Sequence, residues 1–228
     1  MNYSFNYEHI MNTFLNVNNN NINLFVFEIP QIDYSNNVLY IKYLIVVLLI
    51  IVKCQAFQGT SIIKIDYLFY KPIIDILYIL TSLYDKINII KPNTSNVNNG
   101  ERYIVCKKFI IDEQKNRYIE NNLKNLLYEL DNNTTNVHSL IDNNIPCYLI
   151  NKIEETNITI GEQQLQSYNQ FINLYNHKNI TDKLETLKRT NIIKCVQWCD
   201  KNEIPHNKFT DKTNIFFNSV SSMLSKRY

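Results

Sequence analysis

The sequence predicts an α/β fold in which half of a doubly wound sheet is followed by a helical carboxyl-terminal region. Short apolar runs alternate with helix-length segments between residues 22 and 109, which is an α/β order. Only a polar turn separates the last two predicted strands, which indicates an antiparallel hairpin at the sheet edge. From about residue 112 the pattern becomes amphipathic and helical. The chain therefore divides into a loose segment 1–21, a sheet domain 22–110 and a mainly helical appendage 111–228.

The first predicted strand is INLFVFE, residues 22–28, which follows a polar, Asn-rich opening. Its compact apolar run ends in a carboxylate, which is typical of a central parallel strand whose functional end is its carboxyl end. Residues 38 to about 54 then have helix length and are apolar on most sides, so we expect a helix packed against the sheet. Its run LIVVLLIIV, residues 44–52, is shorter than the roughly 20 residues of a membrane span. The sequence therefore predicts a core helix and no membrane association.

The remaining sheet elements follow in order. QGTSIIKID predicts a Gly-containing turn and a strand over residues 61–66, and the apolar spacing from Pro72 predicts a helix over 72–84. KINIIKP is a strand ended by Pro92, and ERYIVCKKF is the last strand. Beyond them, helices are predicted from about 112 to 130, from 162 to 177 and from 181 to 202.

Composition limits the function only loosely. The chain has 228 residues, and the formal net charge of +2 gives no bulk signal for nucleic-acid binding. A local basic patch and a solvated rim remain equally open for the cations Lys86, Lys91, Arg102, Lys107 and Lys108. The five Cys include no CxxC pair and no secretory signal opens the chain, so we expect a reducing intracellular compartment.

Lys64 is the most informative side chain because isoleucines flank it in the predicted strand SIIKID. An ammonium buried there needs a carboxylate partner or a wet cleft. Glu101 opens the last strand, and neighbouring strands would bring it within ion-pair reach of Lys64. The alternative is a lysine that extends to water at the strand end beside an unrelated glutamate.

Two segments, GTSIIKID and IIKPNTSNVNNGERYIVCK, together resemble the corresponding pair in the FtsJ-like, cap-specific mRNA ribose 2′-O-methyltransferases of eukaryotes and large DNA viruses. The resemblance covers roughly residues 22–109 and implies the carboxyl-terminal half of a Rossmann-like methyltransferase domain. It implies a catalytic Lys64 oriented by Glu101, with Glu28 in the place of the family's Asp. It also implies RNA contacts by Lys91, Ser95 and Arg102.

The resemblance further implies S-adenosylmethionine as methyl donor and capped mRNA as partner, in host cytoplasm or virion if the chain is viral. Residues 1–21 contain no Gly and no Lys, so the family's glycine-rich donor loop and earlier lysine have no counterpart there. Asn96 and Gly100 stand where the family often has Arg and Ser. A second chain could complete the sheet, and the alternative is a catalytically inactive scaffold or interaction subunit.

The pKa of Lys64 is subject to opposing influences. Burial between isoleucines lowers the pKa of an ammonium and a glutamate partner raises it, and sequence leaves the balance open. Elsewhere, Cys195, Cys199 and His206 could ligate a metal, but core packing of the two cysteines beside Trp198 is the favoured interpretation. We therefore predict no metal site.

Overall fold

The computed structural model describes residues 22–29, 37–92, 94–110, 113–132, 137–142, 144–176 and 180–206. These residues form a mixed α/β structure with one four-stranded mixed sheet and five helices, as predicted at that level. The elements in chain order are β1 Ile22–Glu28, α1 Asn37–Cys54, β2 Gln55–Ile65, α2 Lys71–Leu83, β3 Tyr84–Ile90, β4 Arg102–Phe109, α3 Glu113–Asn132, α4 Cys147–Tyr175 and α5 Ile180–Lys201.

The chain divides into two compact units, Met1–Tyr168 and Asn169–Tyr228, and the boundary falls within α4. The first unit contains the whole sheet together with α1, α2 and α3. The second contains the end of α4 and all of α5. The domain limits at 21/22 and 110/111 stay predictions, and the predicted opening segment 1–21 lies outside the described residues.

The sheet has the strand order β1-β2-β4-β3. Strands β1 and β2 are parallel, whereas β4 is antiparallel to both β2 and β3. The predicted antiparallel hairpin at the sheet edge is therefore confirmed as β3 and β4. The predicted central position of β1 is wrong within the described sheet, because only β2 pairs with it and β1 is an outermost strand.

The two faces of the sheet differ in what covers them. Strand residues on the inner face, including Phe25, Ile63, Ile104 and Cys106, are buried. Ile63, Ile65 and Ile104 share a small cavity with side chains of α1 and α2, so both helices pack on this side. The alternate residues of the four strands project from the opposite face, which we call the open face. By the strand register these are Leu24, Val26, Glu28, Thr60, Ile62, Lys64, Lys86, Asn88, Ile90, Tyr103, Val105 and Lys107.

Helix α1 is the centre of the core, and Ile45, Leu48, Leu49 and Ile51 are fully buried. Residues apolar on all sides suit a helix enclosed on all sides. Its 18 residues have a mean hydropathy of 2.1, so length and composition alone would allow a membrane span. The sequence prediction considered only the run 44–52, which is too short to span a membrane. However, 67% of the helix is buried inside the protein, as in the core helices of soluble proteins, and one such helix is weak evidence for a span.

Strand β2 starts at Gln55, six residues before the predicted start, because the expected Gly-containing turn is an irregularity within the strand. Gln58 has a φ of 64° there, and a Cβ on Gly59 would lie 2.8 Å from the carbonyl oxygen of Ala56. A buried network closes this segment: Ser61 donates to Oε1 of Gln55, and the Tyr84 hydroxyl donates to Oγ of Ser61. Burial raises the pKa of Tyr84, so its hydroxyl stays a donor.

The predicted helical region beyond the sheet is confirmed by α3, α4 and α5, although α4 begins at Cys147 and not near residue 162. Leu123, Leu127 and Leu130 attach α3 to the core. In α5 the predicted core packing is wrong for two residues, because Cys195 is exposed and Trp198 is 47% exposed. Within the sheet unit, Cys54 and Cys106 are buried and Cys147 is exposed, and burial raises the pKa of Cys106 to about 12.

Candidate functional site

Lys64 lies on the open face of the sheet, near the carboxyl ends of β1 and β2. Pairing of the parallel strands sets Glu28 beside Lys64, and pairing with β4 sets Tyr103 on its other side. Side chains of directly paired residues project from the same face of a sheet. The sheet register thus brings together two of the predicted site residues, Glu28 and Lys64, that are 36 positions apart.

The Lys64 ammonium lies between two carboxylates. Its Nζ is 2.6 Å from Oε1 of Glu28 and 3.4 Å from Oε2 of Glu101. Side-chain exposure is 70% for Glu28, 23% for Lys64 and 17% for Glu101. The structure therefore joins all three predicted catalytic residues in one cluster, with Glu28 facing water and Glu101 sheltered.

The two carboxylates raise the pKa of Lys64, whereas the sequence left open whether burial or an ion pair dominates. The hydrogen bond to Glu28 is the main cause that raises the pKa of Lys64 above its ordinary value; burial opposes it, and Glu101 adds to the rise. Lys64 is therefore a cation throughout the neutral range. An ammonium of this kind stabilises negative charge that develops on a nearby oxygen, but it cannot accept a proton.

Lys91 holds the turn that carries Glu101. Its Nζ donates to the backbone carbonyls of Asn96, Asn99 and Glu101 at 3.0, 2.8 and 3.0 Å. Burial lowers the pKa of this ammonium, and the nearby Glu101 partly offsets the effect. These contacts commit all three N–H groups of a lysine, so the geometry assigns Lys91 to shaping the turn and does not favour the predicted RNA contact.

Ser95 also turns inward, because its hydroxyl donates to the Pro92 carbonyl oxygen at 2.8 Å. The serine oxygen keeps acceptor capacity only. Gly100 meets a closer constraint, since a Cβ at this position would lie 2.6 Å from the backbone oxygen of Asp66. A side chain would force the β4 entrance away from the end of β2, so the glycine at this position has a steric reason.

Arg102, the third predicted RNA contact, is only 2% exposed. Its Nη1 donates to Oδ1 of Asn157, its Nε donates to the Gly100 carbonyl at 3.2 Å, and its Cζ lies 6.0 Å from the Phe69 ring centroid. Burial lowers its pKa. The guanidinium thus braces the start of β4 in this structure and does not face solvent.

Two further residues with structural contacts were missed in the sequence, and one of them, Asn157, supports the site. Asn157 of α4 accepts from Arg102 and donates to the Leu68 carbonyl at 3.0 Å, which ties the segments that follow β2 and precede β4. Asp75 is fully buried and accepts from Ser139 Oγ and the Leu140 backbone N–H. A carboxylate among the apolar residues of α2 was the available signal for Asp75. Asn157 carried no signal, because Asn is abundant throughout the chain.

A half-open cavity of about 200 Å³ lies beside the segment that connects β2 to α2. Tyr67 and Tyr70 line it together with Tyr40 and His138, and the same cavity reaches Ile73 of α2. Tyr67 and Tyr70 have ring centroids 5.6 Å apart. Aromatic walls of this kind suit a planar ring such as a nucleobase.

The described residues do not fit the expected donor pocket. The three glycines of this sequence, Gly59, Gly100 and Gly161, are isolated from one another, so they do not form the glycine-rich loop that the resemblance implies. Within the described ranges no three His, Cys, Asp or Glu side chains cluster as metal ligands. In the second unit, Nε2 of His206 is 3.5 Å from Oδ1 of Asp200.

Comparison with models of known protein families and with curated proteins gave no match.

Proposed function

We propose that this chain acts in S-adenosylmethionine-dependent methylation of the ribose 2′-hydroxyl of capped mRNA, as an FtsJ-like methyltransferase. The observation that supports this function is the ammonium of Lys64 between the carboxylates of Glu28 and Glu101. The parallel pair β1 and β2 and the edge hairpin β3 and β4 are consistent with part of a Rossmann-like methyltransferase sheet.

The proposed role of the cluster concerns the acceptor hydroxyl. An alcohol is a weak nucleophile near neutral pH, and a fixed cation beside its oxygen stabilises the charge that develops during attack. Lys64 supplies that cation, and Glu101 holds it from the sheltered side. Glu28 is the most exposed member, so its carboxylate is placed to pass the released proton to water.

The methyl donor supplies an activated methyl group when it is bound, but we assign no donor-binding step to the described residues. A second chain that completes the sheet is the proposed source of that pocket. Lys91, Ser95 and Arg102 act in this proposal by holding the turn before β4, and the tyrosine-lined cavity offers a surface on which a base can stack.

Acceptor recognition can be tested without a donor. The Lys64 side-chain NMR signal, assigned from Lys64→Arg, should shift on titration with a short capped RNA whose first nucleotide carries a free 2′-hydroxyl. The same RNA with a 2′-O-methyl group at that nucleotide should cause a smaller shift. Equal shifts with both RNAs, or none with either, would contradict the proposed contact.

Catalysis is tested by transfer of labelled methyl groups from S-adenosylmethionine to capped RNA. We expect Lys64→Ala to abolish transfer and Lys108→Ala, an exposed lysine that pairs with Asp85, to retain it. Transfer that survives Lys64→Ala would remove Lys64 from the mechanism.

The alternative is a catalytically inactive interaction subunit derived from such an enzyme. The isolated positions of the three glycines favour it. Titration with capped RNA separates the two: a Lys64 signal that shifts more with the free 2′-hydroxyl than with the 2′-O-methyl group supports the enzyme, and absence of both this difference and methyl transfer supports the inactive subunit.

A further inference from the structure

The structure separates the five cations for which the sequence allows either a basic patch or a solvated rim. Lys91 and Arg102 hold the turn before β4, and Lys108 pairs with an exposed aspartate. Lys86 and Lys107 remain, and both are exposed. Within the described ranges, neither ammonium has a hydrogen bond or an ion pair. Two cations are therefore free to bind something outside the described chain.

These two lysines are direct cross-strand neighbours on the open face. Lys86 of β3 pairs with Lys107 of β4, and Thr60 of β2 pairs with Lys107 on its other side. The Cβ atoms of directly opposed residues are about 4.5–5.5 Å apart, and like charges in such positions destabilise a sheet. Asp85, the only acidic residue of β3, lies 3.3 Å from Lys108. The repulsion between the two lysines is thus not offset by a carboxylate of these strands.

Protection of the sheet edge explains only one of the two lysines. A lysine on an edge strand discourages pairing with other chains, and β3 is an edge strand of the described sheet. Strand β4 lies between β2 and β3, so Lys107 protects no edge. An interior lysine that faces another lysine across the strands is, however, suited to hold an anion between the two ammonium groups.

The rest of the open face indicates which anion fits. From Lys107 this face continues along β4 through Val105 to Tyr103, which stands directly beside Lys64. Four residues of a strand span about 13 Å. Cations separated by partly exposed aromatic and apolar side chains are typical of surfaces that bind single-stranded nucleic acid. On such surfaces the bases lie against the side chains and the cations contact the phosphates.

We propose that Lys86 and Lys107 together bind a backbone phosphate of the single-stranded RNA whose acceptor ribose lies at Lys64. The position of the ribose rests on the proposed function, whereas the phosphate contact depends only on the two lysines. A phosphate between the two ammonium groups replaces their repulsion by attraction to a shared anion. RNA held at both ends of β4 is also aligned along the strand, which keeps its ribose in place for attack.

The salt dependence of RNA binding tests the lysine pair. Fluorescence anisotropy of the full chain with a labelled, uncapped single-stranded RNA and no methyl donor should show binding that weakens as salt rises. In the double variant Lys86→Gln/Lys107→Gln we expect the affinity at low salt to fall about tenfold. The slope of log K against log salt should decrease by about 1.4, or about 0.7 for each charge lost.

Lys124→Gln/Lys152→Gln is the matched control, since it removes the same net charge from two exposed lysines on helices. It should leave both the affinity and the slope unchanged. Absence of RNA binding by the parent chain would overturn the proposal, as would a slope that the Lys86/Lys107 variant leaves unaltered. Equal affinity for polyglutamate would assign the pair to acidic protein segments and exclude the RNA site.

Charge reversal separates binding from folding. Lys107→Glu places an acid opposite Lys86, so the midpoint of urea denaturation should rise while the RNA affinity falls. A fall in both quantities would show that Lys107 supports the sheet and would refute the proposal. Because the RNA has no cap and no donor is present, binding through the pair can hold even where the Lys64 signal and methyl transfer give no response. That combination would contradict the proposed enzyme alone.

Discussion

Lys64 and Glu28 are 36 residues apart in the chain, and Nζ of Lys64 lies 2.6 Å from Oε1 of Glu28. Glu101, the partner expected first from the sequence, is farther away at 3.4 Å. The parallel register of β1 and β2 produces the closer contact, because it makes the two residues direct neighbours. Glu28 is therefore the main partner of the ammonium despite its exposure.

This order of contacts predicts the response of Lys64 to substitution. Glu28→Gln should lower the pKa of Lys64 more than Glu101→Gln does, because the hydrogen bond to Glu28 is the largest cause of its rise. The measurement is an alkaline NMR titration of the Lys64 side chain. A larger effect of Glu101→Gln would contradict the assignment.

The same pKa sets the pH range of the cluster's contribution to stability. A lysine whose pKa is raised on folding contributes its full stabilisation at any pH below its unfolded-state pKa of about 10.4. This contribution to the unfolding free energy is lost as the pH rises through the folded-state pKa. The difference in unfolding free energy between the parent chain and Lys64→Met should therefore be constant from neutral pH to about 10 and then shrink. We expect about 1 kcal/mol or less, given the exposure of Glu28.

Gly100 allows β4 to approach β2 closely, and Gly100→Ala should break that approach. The added Cβ would lie 2.6 Å from the Asp66 backbone oxygen, so we expect a loss of about 1–3 kcal/mol in chemical denaturation. Gly161→Ala is the matched control: its Cβ meets nothing within 4 Å in α4, so it should stabilise the chain by about 0.5–1 kcal/mol. Equal behaviour of the two variants would refute the steric argument.

Asn157→Ala should loosen the entrance of β4. It removes one of the two acceptors of Arg102 and the donor to Leu68, and a buried guanidinium with an unsatisfied N–H costs about 1–3 kcal/mol. Amide hydrogen exchange should accelerate near residues 100–103. The control Asn151→Ala, at an exposed position of the same helix, should leave stability within about 0.5 kcal/mol and exchange unchanged.

Asp75→Ala should release the segment that follows α3. Asp75 is fully buried, accepts from Ser139 and from the Leu140 backbone, and pairs with Lys71, so its removal breaks every one of these contacts at once. The expected cost is about 1–3 kcal/mol in the unfolding free energy, because the donors themselves can reach water. Asp85→Ala, which removes an exposed partner of Lys108, should cost no more than about 0.5 kcal/mol; a comparable loss in both would argue against the anchoring role.

Local pattern was sufficient for two elements that stand out from polar neighbours. The bounds of β1 and α1 follow from largely apolar runs flanked by polar segments, so prediction and structure agree within a residue at each end. The start of β2 could not be found in this way, because a Gly within QGTS suggests a turn. A network of Gln55 with Ser61 and the distant Tyr84 is what keeps that segment in the strand.

The site was predictable in its membership and not in its contacts. The resemblance placed Lys64, Glu101 and Glu28 together, but only the strand register shows which carboxylate is closer. Arg102 looked like a surface cation because the residue that buries it, Asn157, comes 55 positions later. Pairings over such sequence distances depend on tertiary packing and leave no local pattern.

The buried thiol of Cys106 is a natural reporter of local opening of the sheet. With a pKa of about 12, the thiol is almost wholly uncharged at neutral pH, and thiolate is the form that reacts with alkylating reagents. Cys147 reacts at once from the surface, whereas Cys106 can be labelled only when the strands around it part. Its rate of alkylation therefore reports how often the sheet opens, without any cysteine being introduced.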